Sequence, residues 1–101
     1  MTARGITLVI LLSLPSASLV ADELSHNDAL RLTQQGIIKP VTELVQIATR
    51  KYPGSHVLEL ELERKKSLYI YEMEVIMSTG QVREIKLNAV TGQIIKDELD
   101  D

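Results

Sequence analysis

The chain has no cysteine, no tryptophan and no phenylalanine, and its only aromatic residues are three tyrosines. Without cysteine there is no disulfide framework, no thiol chemistry and no lipid attachment through a cysteine. Burial alone must hold the fold, and with few aromatic rings it must come from Leu, Ile, Val and Met. Histidine is scarce too: His26 and His56 lack the His-Glu-x-x-His spacing of a zinc peptidase and read as solvated surface side chains. No Gly-x-Ser-x-Gly elbow and no EF-hand spacing occur. Basic residues are outnumbered, 11 Lys and Arg against 14 Asp and Glu, for a formal net charge of −3. Phosphate contacts need clustered basic residues, so nucleic acid is excluded as a partner. The run Arg64, Lys65 and Lys66 reads as a turn.

What is present divides into two parts. Arg4, an apolar run over residues 6–14, Pro15 and small residues up to Ala21 have the order of a secretory signal peptide. The apolar run is too short to span a bilayer. Acidic Asp22 and Glu23 then end the apolar character abruptly. The expected division is a signal peptide over 1–21, cleaved after Ala21 or alternatively after Ser18, and one domain over 22–101 with a short acidic C-terminal tail. Removing Arg4 leaves ten basic and fourteen acidic residues, a net charge of about −4. The expected location is the periplasm, or alternatively the secreted fraction, with no membrane anchor after cleavage.

Two helices come first. Ser25 followed by Asp28 is a capping-box start, and Gly36 ends a helix predicted over 26–35 with Ala29, Leu30 and Thr33 inward. Pro40 suits the first position of a second helix, because its missing N–H costs nothing there. Val41, Leu44, Val45, Ala48 and Tyr52 make one helical stripe. Arg50 and Lys51 suit the negative end of the helix dipole, and Tyr52-Pro53-Gly54 stops the helix.

The hydrophobic period then changes from 3.6 to 2. Leu58, Leu60 and Leu62 alternate with Glu59, Glu61 and Glu63. Tyr69, Tyr71, Met73 and Val75 share a face, as do Ile85 and Leu87, and "QIIK" reads as a short last strand. The fold class expected is α+β: N-terminal helices packed on one face of a four-stranded antiparallel meander. A two-residue turn at Lys65-Lys66 would pair Leu62 with Tyr69, Leu60 with Tyr71 and Leu58 with Met73, leaving Glu59 opposite Glu72. Thr-Gly-Gln occurs twice, at 79–81 and 91–93. Three-residue loops at Ser78-Thr79-Gly80 and Val90-Thr91-Gly92, with glycine at positive φ, keep inner residues opposite inner residues. They would pair Met73 with Ile85, Tyr71 with Leu87 and Leu87 with Ile95; a two-residue shift of the second hairpin, pairing Glu74 with Lys86 instead of Glu84, keeps the same faces, so its register is fixed only in parity. Gly54, Gly80 and Gly92 are the structural turn glycines. The repeat is not a phosphate loop, since neither copy opens a helix.

The chain resembles the PepSY domain family, named for peptidase propeptides and YpeB. The matching positions are Tyr52, Pro53 and Gly54; Leu60 and Glu61; Tyr69, Tyr71 and Glu72; Gly80; and Asn88, Ala89, Thr91 and Gly92, within roughly 24–95. The last block usually reads Asp-Ala-x-Thr-Gly in the family, and Asn88 stands where the Asp would be. The resemblance implies an exported, non-catalytic module that assists or inhibits a peptidase or takes part in envelope signalling.

No catalytic, cofactor or metal residues are assigned. The paired glutamates lie on the outer sheet face, where water rather than a dry pocket surrounds them. Leu68, Ile70, Ile76 and Val82 share that face and are the candidate partner-binding residues, since contiguous exposed apolar area marks interfaces. The expected partner is a protein, either a protease or an envelope sensor, with a homodimer as a further option. The leading function is a protein-binding regulatory module. The alternatives are a self-associating structural module or a periplasmic binder of small ligands or metal ions.

Overall fold

The computed structural model describes residues 22–100, so the predicted signal segment lies outside the described residues. The order is β1 (Asp22–Glu23), α1 (His26–Gln34), α2 (Val41–Lys51), β2 (His56–Lys65), β3 (Leu68–Ile76), β4 (Val82–Asn88) and β5 (Ile94–Leu99). The strands form one antiparallel sheet in sequence order, with both helices on the same side. The class is α+β as read from the sequence, but the sheet has five strands, not four. The added strand is β1, which pairs Asp22 with Arg64 and Glu23 with Glu63. Two polar residues carry no periodicity, so nothing local marks them as a strand.

The helix starts follow their local chemistry. Ser25 Oγ accepts from the Asp28 N–H, and the Asp28 carboxylate accepts from the Ser25 N–H, each at 3.1 Å. This is the reciprocal cap that the sequence encodes. α1 buries Leu32 and Ala29 part-way against the core, whereas Leu30, expected inward, is 50% exposed. Pro40 caps α2 from just outside its first turn. The predicted stripe holds: Leu44 and Ala48 are fully buried, and Val41, Val45 and Tyr52 pack against them. Ser55 N–H donates to the Tyr52 carbonyl, with Gly54 at φ +85. Proline followed by a positive-φ glycine is the requirement of a type II turn.

Met73, Val75, Ile85, Leu87 and Ala89 complete the core at 0% exposure. Each large apolar side chain buried to this degree contributes roughly 1.5–3 kcal/mol, so this layer dominates the stability of a chain without cross-links.

The first hairpin keeps the expected parity but slides by two residues. Its turn is Lys66-Ser67, with Lys66 at φ +58, so Leu62 faces Tyr71 and Leu60 faces Met73. A register shift between Val57 and Glu59 leaves Leu58 unpaired and 56% exposed, and Val57 takes the place opposite Val75. Glu59 therefore lies opposite Glu74, and Glu61 opposite Glu72.

The second hairpin has the register read from the sequence. Met73 pairs with Ile85 and Tyr71 with Leu87, around a Ser78-Thr79-Gly80 loop in which Gly80 has φ +91. The third differs. Asn88 N–H donates to the Gln93 carbonyl and Gly92 N–H to the Asn88 carbonyl, so the loop has four residues, starting at Ala89. Ala89 cannot stay in the strand ladder with β5. Its N–H is taken by the Tyr69 carbonyl and its carbonyl by the Lys39 N–H, both at 2.8 Å. Leu87 consequently faces Ile94 rather than Ile95. A bulge at Ile95 restores the parity, and Ile85 faces Asp97. β5 runs on to Leu99, through part of the expected acidic tail.

Candidate functional site

Both helices cover the inner face of the sheet, and no described element covers the outer one. The four candidate partner-binding residues all lie on that outer face, but the structure divides them. Leu68 and Ile70 stand at one end of β3, and Ile76 with its cross-strand neighbour Val82 at the other. Six residues of strand separate Ile70 from Ile76, roughly 20 Å at the usual rise. The first end gains Ile95, turned outward by its bulge and 51% exposed. Leu68 is 45% exposed, whereas Ile70 is nearly buried at 8%. Around this apolar floor stand Lys65, Lys66, Lys86 and Lys96, with Glu63 among them, lining an open hollow of about 540 Å³. Ile95 was missed in the sequence, because the bulge that exposes it depends on the turn before it.

Between the two apolar ends lies an acidic band: Glu59, Glu61 and Glu63 on β2, Glu72 and Glu74 on β3, and Glu84 on β4. Two lysines offset part of it. Lys86 lies 3.5 Å from Glu72, and Lys96 2.8 Å from Glu84. The hydrogen bond from Lys96 holds the Glu84 carboxyl below its ordinary range. On the β2 side the balance reverses. Repulsion from Glu23, with partial burial and the charges of Glu59 and Glu63, pushes Glu61 upward. Burial and then Glu63 do the same to Glu72, and burial followed by Glu59 to Glu74. Carboxylate oxygens of Glu61, Glu63 and Glu72 lie within 4.8 Å of one another, close enough to share a cation. All three are partly exposed, and exposed acidic groups commonly approach this closely without an ion.

A second polar cluster lies on the inner face and went unread in the sequence. Asp97 Oδ1 accepts from Arg83 Nε at 2.7 Å, and Oδ2 accepts from Lys51 Nζ at 2.7 Å and from the Tyr52 hydroxyl at 2.5 Å. The Arg83 guanidinium also stacks 4.8 Å from the centre of the Tyr52 ring. Burial opposes charge on Asp97, but the three donors outweigh it and hold its pKa at about 2. An acidic residue in phase with inward-facing Ile85 needs buried partners, and that phase was the available signal. The carboxylate is saturated with donors, so the cluster fastens the end of α2 to β4 and β5.

The turn glycines share one backbone region, although Gly92 ends a loop of four residues and not the expected three. Gly54, Gly80 and Gly92 all have positive φ. Asn88 Oδ1 accepts from the N–H groups of Val90 and Thr91 at 2.8 and 3.1 Å and so caps the third turn. Among the described residues no helix is long and apolar enough to cross a membrane.

Comparison with known proteins gives the family. The model of the PepSY family, described as the peptidase propeptide and YPEB domain, matches residues 39–98. That match covers α2 and strands β2 to β4 in full, with β5 up to Glu98, and the chain belongs to this family. It is also 36% identical over 75 residues to the uncharacterized protein YkoJ of Bacillus subtilis (strain 168), a stretch covering 74% of this chain and 44% of that relative. The chain thus spans less than half the length of the curated relative it matches. No solved structure matches.

Proposed function

We propose that the protein is a non-catalytic, exported module that binds a protein partner through its sheet and regulates it, the partner being a peptidase or an envelope signalling protein. The observation that carries this reading is the uncovered outer face, which places an apolar floor of Leu68, Ile70 and Ile95 among lysines and Glu63. Membership of a family described by peptidase propeptides supports it. A large apolar spot with a charged rim is the usual form of a protein-binding surface. The order of residues 1–21 supports export to the periplasm.

The test replaces Leu68 and Ile95 with Glu together. Both side chains are about half exposed, so the fold is expected to persist with an unchanged melting temperature within a few degrees. Affinity capture from envelope extract should recover a peptidase or sensor with the native protein and lose it with the double variant. Equal recovery by both proteins would remove this face from the reading.

A further inference from the structure

We infer that the open edge of β2, at residues 56–61, is a strand-addition site for an extended polypeptide in which basic residues alternate with apolar ones. This rests on the reading of the protein as a protein-binding module, and adds where the partner lies and which side chains it carries.

The edge is left open by the protein's own topology. β1 pairs only with Glu63 and Arg64, and the last bond on that side runs from the Leu24 N–H to the Leu62 carbonyl at 2.9 Å. Ser25 then begins the cap of α1, so the chain leaves the edge. No other described strand pairs with this side of β2. In an antiparallel ladder a residue's N–H and C=O point the same way, and the direction recurs every second residue. The N–H and C=O of Leu60 therefore face outward as those of Leu62 do. Such an edge templates another chain.

The inner side of the edge is open, mixed in polarity beside the end of β1 and apolar between the helices. A hollow of about 220 Å³ reaches Glu61 and Leu62 beside the end of β1, and a second of about 280 Å³ continues between the helices to Leu30 and Val41. The two share His26, Ala29, Leu60 and Tyr71 as walls. Leu60 is 37% exposed and Leu30 50%. Every second side chain of an added strand would point into this groove, and apolar ones fit.

The outer side selects charge. Glu23, Glu59, Glu61 and Glu63 have no ion pair among the described residues, and repulsion from Glu23, then partial burial and the charges of Glu59 and Glu63, raises Glu61. Side chains laid beside Glu59 and Glu61 lower this repulsion only when they are Lys or Arg. The same charges exclude a second copy of β2 on this edge, because glutamates would then face glutamates. The other edge, β5, differs: it has a bulge at Ile95, a lysine at Lys96 and the inward charge Asp97, devices that discourage pairing.

The test uses 15N-labelled protein and three synthetic seven-residue peptides: one alternating Lys and Val, one with Glu for each Lys, and one Lys/Val peptide with Pro at its centre. The Lys/Val peptide should bind at least tenfold more tightly than the other two, shift the amides of residues 56–62 and slow exchange of the Leu60 N–H. Glu59→Lys with Glu61→Lys should reverse the preference to the Glu peptide. Equal binding of the Pro peptide, no binding of the Lys/Val peptide, or shifts confined to Leu68, Ile70 and Ile95 would overturn the edge site. The last of these would leave the outer-face reading intact. Equal envelope capture by the native protein and the Leu68 and Ile95 double variant, with edge shifts retained, would sink the outer face and keep the edge.

Discussion

Thr79-Gly80-Gln81 and Thr91-Gly92-Gln93 are the same tripeptide, yet they turn the chain in different ways. In the first, Gly80 N–H donates three residues back to Met77, and a Cβ added to Gly80 would meet nothing within 4 Å. In the second, Gly92 N–H donates four residues back to Asn88, and an added Cβ would lie 2.8 Å from Ile47 Cδ1 and 3.4 Å from Lys39 Cε. The threonine hydroxyls perform the same local task in both, accepting from the N–H of the glutamine two residues on, at 3.5 and 3.2 Å. The difference comes from what lies nearby. The first turn projects into water, and the second is pressed under α2 with Ala89 bonded on both sides. A local motif thus sets the need for a positive-φ residue, while packing sets loop length and tolerance.

Gly92→Val should show the largest effect. It combines left-handed strain with a Cβ that makes the end of the Ile47 side chain and Lys39 shift, and should cost about 2–3 kcal/mol. Gly92→Asn, which relieves much of the strain but keeps the Cβ, should remain well below the native protein in chemical denaturation. Equal stability of Gly92→Asn and the native protein would remove the close approach from the comparison.

Asp97→Asn comes next, because Asp97 faces inward only through the bulge that offsets the second turn's extra residue. Its pKa of about 2 in the folded protein lies below the ordinary 3.8. The folded state therefore favours the charged form, and its contribution is present above pH ~4 and lost as pH falls toward ~2. The loss at neutral pH should be about 1–2 kcal/mol, discounted because Lys51 is half exposed. Unfolding curves at pH 7 and pH 2 should show the native and Asp97→Asn proteins converging at the lower pH. A constant gap would contradict the ion-pair origin.

Gly80→Val should have the smallest effect, about 1 kcal/mol from backbone strain alone. Gly80→Asn should be close to native, since asparagine tolerates the left-handed region. A melting temperature for Gly80→Val as low as that of Gly92→Val would show that both turns are limited by conformation and neither by packing.

Several features could be read before any fold was known, for reasons that lie along the chain. The Ser25 and Asp28 cap needs only its own four residues. The α2 stripe and the alternation in β3 are spacings that any buried face imposes. The faces of the second hairpin followed from parity, because Met73 and Ile85 must share a side, and the structure selects the register that pairs them. Other features escaped because their causes lie across the sheet. Leu58 alternates correctly with its neighbours, and only the offset between β2 and β3 ejects it. Ile70 and Leu68 share a face in sequence, but Ile70 is buried there while Leu68 is not. Of the candidate site, the face could be read but its division into two ends could not, nor could Ile95.

Sequence alone determined the helix starts, the change of period from helix to strand, the positive-φ glycines and the family. Each is set by neighbours within a turn or two, where spacing dictates geometry. Tertiary structure alone decided the fifth strand, both bulges, the donors gathered on Asp97 and the open edge beside Leu60. Each of these depends on which backbone groups have already been claimed by residues distant in the chain, as Tyr69 and Lys39 claim Ala89.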